Sequence, residues 1–385
     1  MNSSKGHKLT YIHAGIIALL AGISMIAFPG VVLRSAQQGI NLWTNYVLPA
    51  LLPFFICSDF MISLGIPHVI GMYFEKVFRK AFGVPGSSGF VFIVSITSGY
   101  PMGAKAIDQM RKNNDITDFE GVKMLSFCST SGPLFILGVV GAGMLKSSEA
   151  GAVIALSHYI SAIVNGILFS MILGRKGEKN NAVRAKTWVS SEKNANITEM
   201  LTASILSSLK ALGIICCYIV IFTYITDLIE MSGLLSIFKD SYSKGLIKGL
   251  IEITVGLNEM SQSNLINLRL KTAIAAFLVS FGGISIIAQS MGVMSNLKVN
   301  PLIFLSMKLS HAFIAGTLAL FLAPSILDNA VLNVALIDDI YSCGYFGFLM
   351  QLLFSTKMII MILLIFLFMV TLEILFFRRK DTDIE

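Results

Sequence analysis

SGPLFILGVVG at 131–141 sets a Gly-Pro break ahead of an apolar run. It also spaces Gly132 and Gly141 nine residues apart, with Leu156-Ser157-His158 following. The second half of the chain carries the same order of landmarks. FGGISIIAQSMG at 281–292 holds Gly283 and Gly292 nine apart, and Leu309-Ser310-His311 follows. Ahead of each lies a short apolar stretch ending at a glycine, SITSG at 95–99 and EITVG at 252–256. Identity between the halves is low, and the two glycine-to-histidine intervals differ by two residues, so neither match stands alone. Three landmarks in one order indicate an internal duplication. Gly-interrupted apolar segments at corresponding places in two halves of a membrane chain point to a transport site between repeats.

Composition settles the solvent. Hydrophobic residues make up 55% of the 385 and charged residues 13%, with mean hydropathy +0.77; soluble domains carry roughly 25% charged residues. Several uncharged runs approach the ~20 residues needed to cross ~30 Å of hydrocarbon as a helix. The first, 14–33, follows Lys5 and Lys8. A cleaved signal peptide is the competing reading, but the run exceeds the usual 7–15-residue apolar core and no small-x-small cleavage site follows. Cys57, Cys128, Cys216 and Cys217 lie within or beside apolar stretches, with only Cys343 outside one. That distribution suits packing rather than disulfides or a metal site.

The net charge of +7 matters through its placement. Arg175, Lys176, Lys179, Arg184, Lys186 and Lys193 crowd one loop, Arg378, Arg379 and Lys380 follow the last apolar run, and Lys5 and Lys8 precede the first. Basic loops stay cytoplasmic, so both termini and the loop are expected on that face of a cell membrane. Each cluster flanks an apolar span, which argues against a nucleic-acid partner and for the lipid bilayer. Helices over 14–33 and 41–65 then go out and back. Segment 87–99 is too short to span and must dip in and return. Segments 122–146 and 149–173 lead to the basic loop. Beyond it, 203–226 goes out, 246–257 dips from the opposite face, and 272–294, 301–323 and 351–377 finish inside. The duplication is therefore expected to be inverted; one miscounted segment would make it parallel. The expected organisation is an N-terminal helix (1–40), a first repeat (41–173), a cytoplasmic loop (174–198), a second repeat (199–323) and a C-terminal stretch with a final helix (324–385). The fold class is an all-α polytopic membrane protein, an inverted-repeat transporter fold with re-entrant hairpins and broken helices.

Some residues are out of place for lipid contact alone. Ser129, Thr130, Ser131 and Gly132 precede Pro133, and Ser98, Gly99 and Tyr100 precede Pro101. Proline suits a helix's first turn, so helices are expected to start at both prolines after unwound stretches. Their N-terminal N–H groups and positive dipole ends would suit a carboxylate or phosphate. A kinked helix with its carbonyls bonded by serines is the bland alternative. In the second half, Glu252 and Thr254 lie in the dip, while Gly283, Ser285 and Gln289 mark the broken segment. Glu252 is a candidate for an ion or proton site, or else a rim carboxylate paired with Lys248. Lys308 and His311 share a helical face and suit an anion, unless Lys308 snorkels to the headgroups. His158 occupies the place matching His311 and reads as a packing residue. Asp59 either lines the cavity or pairs with Lys76 or Arg79.

Catalysis finds almost no support, with intramembrane hydrolysis the one enzymatic alternative: the chain has no HExxH, no Cys/His cluster at metal spacing and no Walker or dinucleotide glycine loop. It is read as a non-enzyme without metal or cofactor, and any pumping as ion- or gradient-driven.

The wording of the motifs adds a resemblance. SITSGYPMGAK (95–105), MLSFCSTSGPLFILGVVGAGM (124–144), ALSHYISAIVNGIL (155–168) and EITVGL (252–257) resemble the YlbJ-type sporulation integral membrane proteins of the nucleoside-recognition Gate-domain group, over most of the chain. The resemblance implies a concentrative-nucleoside-transporter-like fold. It further implies a sporulation protein of the outer forespore membrane that moves dipicolinic acid into the forespore. On that expectation, backbone donors near Pro101 and Pro133 take the two carboxylates of this small anionic substrate. Ser98, Ser129, Thr130 and Ser131 add hydroxyls, Tyr100 stacks on the ring, and Lys105 supplies countercharge unless it pairs with Asp108. A coupling ion would sit in the second repeat. Two rivals stay open: a nucleoside or other metabolite transporter of the same fold, and a non-transporting spore-envelope assembly factor. Oligomeric state is not encoded legibly.

Overall fold

The computed structural model describes residues 15–16, 19–174 and 196–327. The N-terminal lysines, the basic loop over 175–195, Cys343 and the last expected span over 351–377 lie outside them, and with them the markers of orientation. Among the described residues all regular structure is helical.

Helix α1 (Leu19–Ala27) meets α2 (Pro29–Leu42) at a bend of 103°, where the sequence reading runs one span through 14–33. Pro29 has no N–H and its ring clashes with the preceding turn, so the helix stops and restarts there. Helix α2 passes through a π-helical turn, Trp43–Val47, into α3 (Leu48–Ser63), and α4 (Ile66–Phe82) follows. Next comes a helical hairpin, α5 (Ser88–Ser98) and α6 (Met102–Lys112). Eleven residues of helix rise about 16 Å, roughly half the hydrocarbon thickness, and the segment expected to dip over 87–99 is the first arm of this hairpin. Helix α7 (Asp118–Leu125) opens on a capping box between Thr117 and Glu120. It ends in a non-helical stretch, which gives way to a π-helix (Leu134–Met144) and then α8 (Ser148–Leu173).

The second half begins with α9 (Ile197–Met231), longer at both ends than the apolar core 203–226. A second hairpin, α10 (Ser241–Ile251) and α11 (Ile253–Ser261), turns at Glu252. Helices α12 (Leu268–Phe281) and α13 (Gly283–Val293) are one apolar segment broken at Gly282, and α14 (Pro301–Leu327) closes the described chain. Four segments are long and apolar enough to cross a membrane: α8, α9, α12 with α13, and α14. The bent pair α1–α2 makes five if it is one span.

The distribution of side chains fits lipid as solvent. Ile26, Leu33, Leu302 and Phe321 face outward, whereas Ser157, His158, Asn165, Thr272, Ser280, Lys308 and His311 are buried. A bilayer leaves an exposed Leu or Phe at no cost but makes every polar group seek a partner inside. Helices α8, α12 and α14 pack together at the centre. The loop before α14 is tied to the first half: Asp108 accepts from the backbone N–H of Asn296 (2.7 Å) and Leu297 (2.9 Å). It therefore does not pair with Lys105. Nearby, hydrogen bonds from the Arg111 guanidinium and the Lys298 N–H hold the Asp118 carboxyl below its ordinary range. A depressed carboxyl pKa adds stability at neutral pH that is lost as pH falls through the lowered value, and for so exposed a pair the amount is small.

Close approach at the second hairpin depends on glycine. A Cβ on Gly256 would run into the backbone of Gly249, and one on Gly245 would lie 2.5 Å from Met260 N. Small residues let membrane helices approach to backbone contact. Gly256→Ala is therefore expected to destabilise by about 1–3 kcal/mol. Gly213→Ala, where a Cβ meets nothing within 4 Å, is expected to leave the thermal unfolding midpoint in detergent unchanged or slightly raised. Equal midpoints for the two variants would contradict this packing.

Candidate functional site

Each half places a hairpin tip against a broken segment. Gly99 ends α5 with φ +77°, and a Cβ there would sit 2.6 Å from Gly132 N. Residues 98–101 thus press on the non-helical stretch before the π-helix. In the second half Gly283, φ +75°, lies against the other tip, where a Cβ would come within 3.0 Å of Ile251 O.

Between these contacts runs a buried polar network joining α8, α12, α14 and the first hairpin. Lys308 Nζ donates to Tyr100 Oη (2.7 Å) and to the Ser129 carbonyl (3.0 Å), and lies 4.3 Å from the Tyr100 ring centroid. Tyr100 Oη in turn donates to the carbonyl of Val279 (3.2 Å). An ammonium has three donors; two have protein acceptors here. Among the described residues no carboxylate lies within ion-pair distance of Lys308, which is 2% exposed. Ser129 Oγ, also buried, has no hydrogen-bond partner.

The two matching histidines meet. Each lies ten residues beyond the first residue of its helix, Ser148 for His158 and Pro301 for His311, and their ring centroids are 4.8 Å apart. Ser131 N–H donates to His158 Nε2 (2.9 Å), so that nitrogen carries no proton. Nδ1 is then the protonated one and donates to Ser280 Oγ (2.7 Å). His311 Nε2 donates to the His158 carbonyl (2.9 Å). Tyr159 Oη donates to the Ser131 carbonyl (3.0 Å), and Asn165 Nδ2 to those of Ser126 (2.7 Å) and Met307 (3.2 Å). The backbone freed by unwinding 126–132 is thus held by side chains of α8 and α14, as buried irregular backbone requires.

Of the residues singled out in the sequence, Tyr100, Ser129, Ser131, Gly132, Gly99, Lys308 and His311 belong to this one junction. Thr130 Oγ1 donates to Ser95 Oγ (3.1 Å), and Ser98 Oγ is 3.0 Å from Ser58 Oγ, both on the hairpin side. Lys105 sits apart: its Nζ contacts Asp59 Oδ2 (2.5 Å) and Ser207 Oγ (2.8 Å). Asp59 therefore pairs with neither Lys76 nor Arg79; Arg79 bonds Glu75 and Glu120. Glu252 is buried as the N-cap of α11, its Oε2 accepting from Val255 N (2.8 Å), with Thr254 also bonded to the carboxylate. Lys248 pairs with Glu230 and Glu259 (2.6 Å each) rather than with Glu252. Ser285 Oγ accepts from Gln289 Nε2 (3.0 Å), and Gln289 Oε1 is buried without a partner. Ser280, Tyr159 and Asn165 were passed over as site residues. Asn165 alone had a signal, an amide in the middle of an apolar helix.

The arrangement in this membrane chain can be set beside known proteins. It is similar to the sporulation integral membrane protein YlbJ of Bacillus subtilis (strain 168), 28% identical over 325 residues, 76% of this chain and 78% of that one. That likeness supports the resemblance to the YlbJ-type membrane proteins carried by the motifs. No family profile matches it, and no solved structure does. The YlbJ-type relative is named for sporulation and for the membrane, and the apolar helices above agree with an integral membrane protein.

Proposed function

We propose that this YlbJ-type chain is a transporter for a small dicarboxylate, dipicolinate, carried into the developing forespore across its outer membrane. The reading takes the two halves as inverted repeats that rock about a midplane site to give alternating access. Two features support the duplicated plan: a hairpin tip abuts a broken segment in each half, and the equivalent histidines meet at 4.8 Å.

The observation that carries the substrate class is Lys308. A buried ammonium without an anion is costly, and intramembrane ionisable groups mark substrate or ion paths. Its remaining N–H is a donor for one carboxylate, which brings the countercharge that Lys308 lacks, and the unpartnered hydroxyl of Ser129, whose carbonyl already accepts from Lys308, is the second donor we assign to it. The neighbouring Tyr100 ring suits a flat aromatic acid.

Calorimetry on the purified protein tests this, with dipicolinate, the monocarboxylate picolinate and uridine as ligands. Saturable dipicolinate binding is expected, with Ser129→Ala weakening it about three- to tenfold for one lost hydrogen bond. Uridine binding in place of dipicolinate would move the chain to the nucleoside class. Silence from all three ligands would favour an assembly role.

A further inference from the structure

Asp59 on α3 has one oxygen in use and one idle. Oδ2 takes the Lys105 ammonium of α6 at 2.5 Å and is 3.5 Å from the Ser208 hydroxyl of α9. Oδ1 is buried and has no hydrogen-bond partner. The side chain is 6% exposed. A carboxylate oxygen left bare inside a membrane bundle is expensive and is retained where a charge enters or leaves. The pair also sits at a joint: Lys105 belongs to the re-entrant hairpin and bonds Ser207 of α9, while Asp59 belongs to α3, which packs on α9. Ser58, beside Asp59, meets Ser98 at the hairpin tip. A change of charge at Asp59 is therefore felt by the hairpin directly through Lys105, and α3 touches the hairpin tip again at the neighbouring Ser58.

The contrast with Glu252 sharpens the assignment. Both are buried acids in the apolar region, but Glu252 is engaged in capping α11. Asp59 caps nothing and keeps a free acceptor.

We propose that Asp59 Oδ1 is the proton-binding site that couples transport to a proton gradient. The occupant is a proton because a metal ion needs several oxygen donors, whereas here a single oxygen is bare. Among the charged groups of the described residues, Lys105 is the one within ion-pair distance; Ser207 and Ser208 face the pair from α9, and Ser58 and Ser98 lie beside it. A proton taken from water on one face forms an O–H bond at Oδ1 and is returned to water on the other. While bound, it turns the neutral Asp59–Lys105 pair into one net positive charge, which the anionic substrate offsets. The inference rests on the transporter reading above.

The test uses full-length protein in liposomes with the membrane potential clamped at zero. One proton per substrate lets a pH difference of one unit support about tenfold dipicolinate accumulation. Wild type is expected to reach it; Asp59→Asn is expected to show none while dipicolinate counterflow stays within about twofold of wild type. Unchanged gradient-driven accumulation in Asp59→Asn would overturn the proposal, and so would equal loss of accumulation and counterflow. Infrared difference spectra supply a readout without transport, as a protonated-carboxyl band that titrates in wild type and is missing in Asp59→Asn. If wild type carries no dipicolinate at all, the substrate reading fails, and the spectra decide the proton site: that band supports it, identical spectra overturn it.

Discussion

Lys308→Met is expected to abolish high-affinity dipicolinate binding while leaving the protein as stable as wild type or more so. Hydrogen bonds to charged groups contribute about 1.5–3 kcal/mol, so losing the ammonium should weaken binding roughly ten- to hundredfold. Stability should move the other way. Methionine fills nearly the same volume, and exchanging a buried charge for an apolar side chain is often neutral or stabilising by about 1–4 kcal/mol. The cost is confined to the Tyr100 hydroxyl and the Ser129 carbonyl, each of which loses one donor. A purely structural Lys308, serving only to hold the 126–132 stretch against the hairpin, gives the reverse pattern: a lower unfolding midpoint with affinity intact. Calorimetry and thermal unfolding on the same preparation separate the two.

Gly99→Ala is expected to eliminate transport in protein that still reaches the membrane. Gly99 has φ +77° and ψ −169°, a region open essentially to glycine, and forcing another residue there costs of order 1–3 kcal/mol. The added methyl would also lie 2.6 Å from Gly132 N, against backbone that cannot swing aside. The hairpin tip and the broken segment would be pushed apart where Tyr100 and Ser129 converge on Lys308. Gly132→Ala provides the graded comparison, since its Cβ would meet nothing nearer than 3.3 Å. Uptake by membrane vesicles should rank wild type first, Gly132→Ala next and Gly99→Ala near zero. Full uptake by Gly99→Ala would show that the tip contact is incidental.

What the sequence disclosed and what it withheld divide along a physical line. Breaks and the first tip were readable because they depend on local backbone chemistry: Pro101 and Pro133 open helical segments, and Gly282 and Gly283 split an apolar run. The second dip was expected to end at Gly256, but the chain turns at Glu252, which caps α11, and Gly256 lies inside that helix. The bend before Pro29 was equally local, but an unbroken apolar run across 14–33 hid it. Helix α9 outran its apolar core because Thr198, Glu199 and Glu230 are polar without being helix breakers.

Partners were a different matter. Asp59 and Lys105 are 46 positions apart, and His158 and Ser280 are 122 apart; no spacing rule links them. Local candidates such as Lys248 for Glu252 and Asp108 for Lys105 looked reasonable only because the true partners were out of view. One long-range pair did have a sequence signal: His158 and His311 follow the same Leu-Ser in the two halves, and their rings lie 4.8 Å apart.

Transport itself is measured by uptake of labelled dipicolinate into liposomes loaded with unlabelled dipicolinate, set against protein-free liposomes. Saturable, protein-dependent counterflow is expected, which excess uridine does not displace and which Lys308→Met lacks. Uptake no greater than in protein-free liposomes, or equal uptake by Lys308→Met, would contradict it.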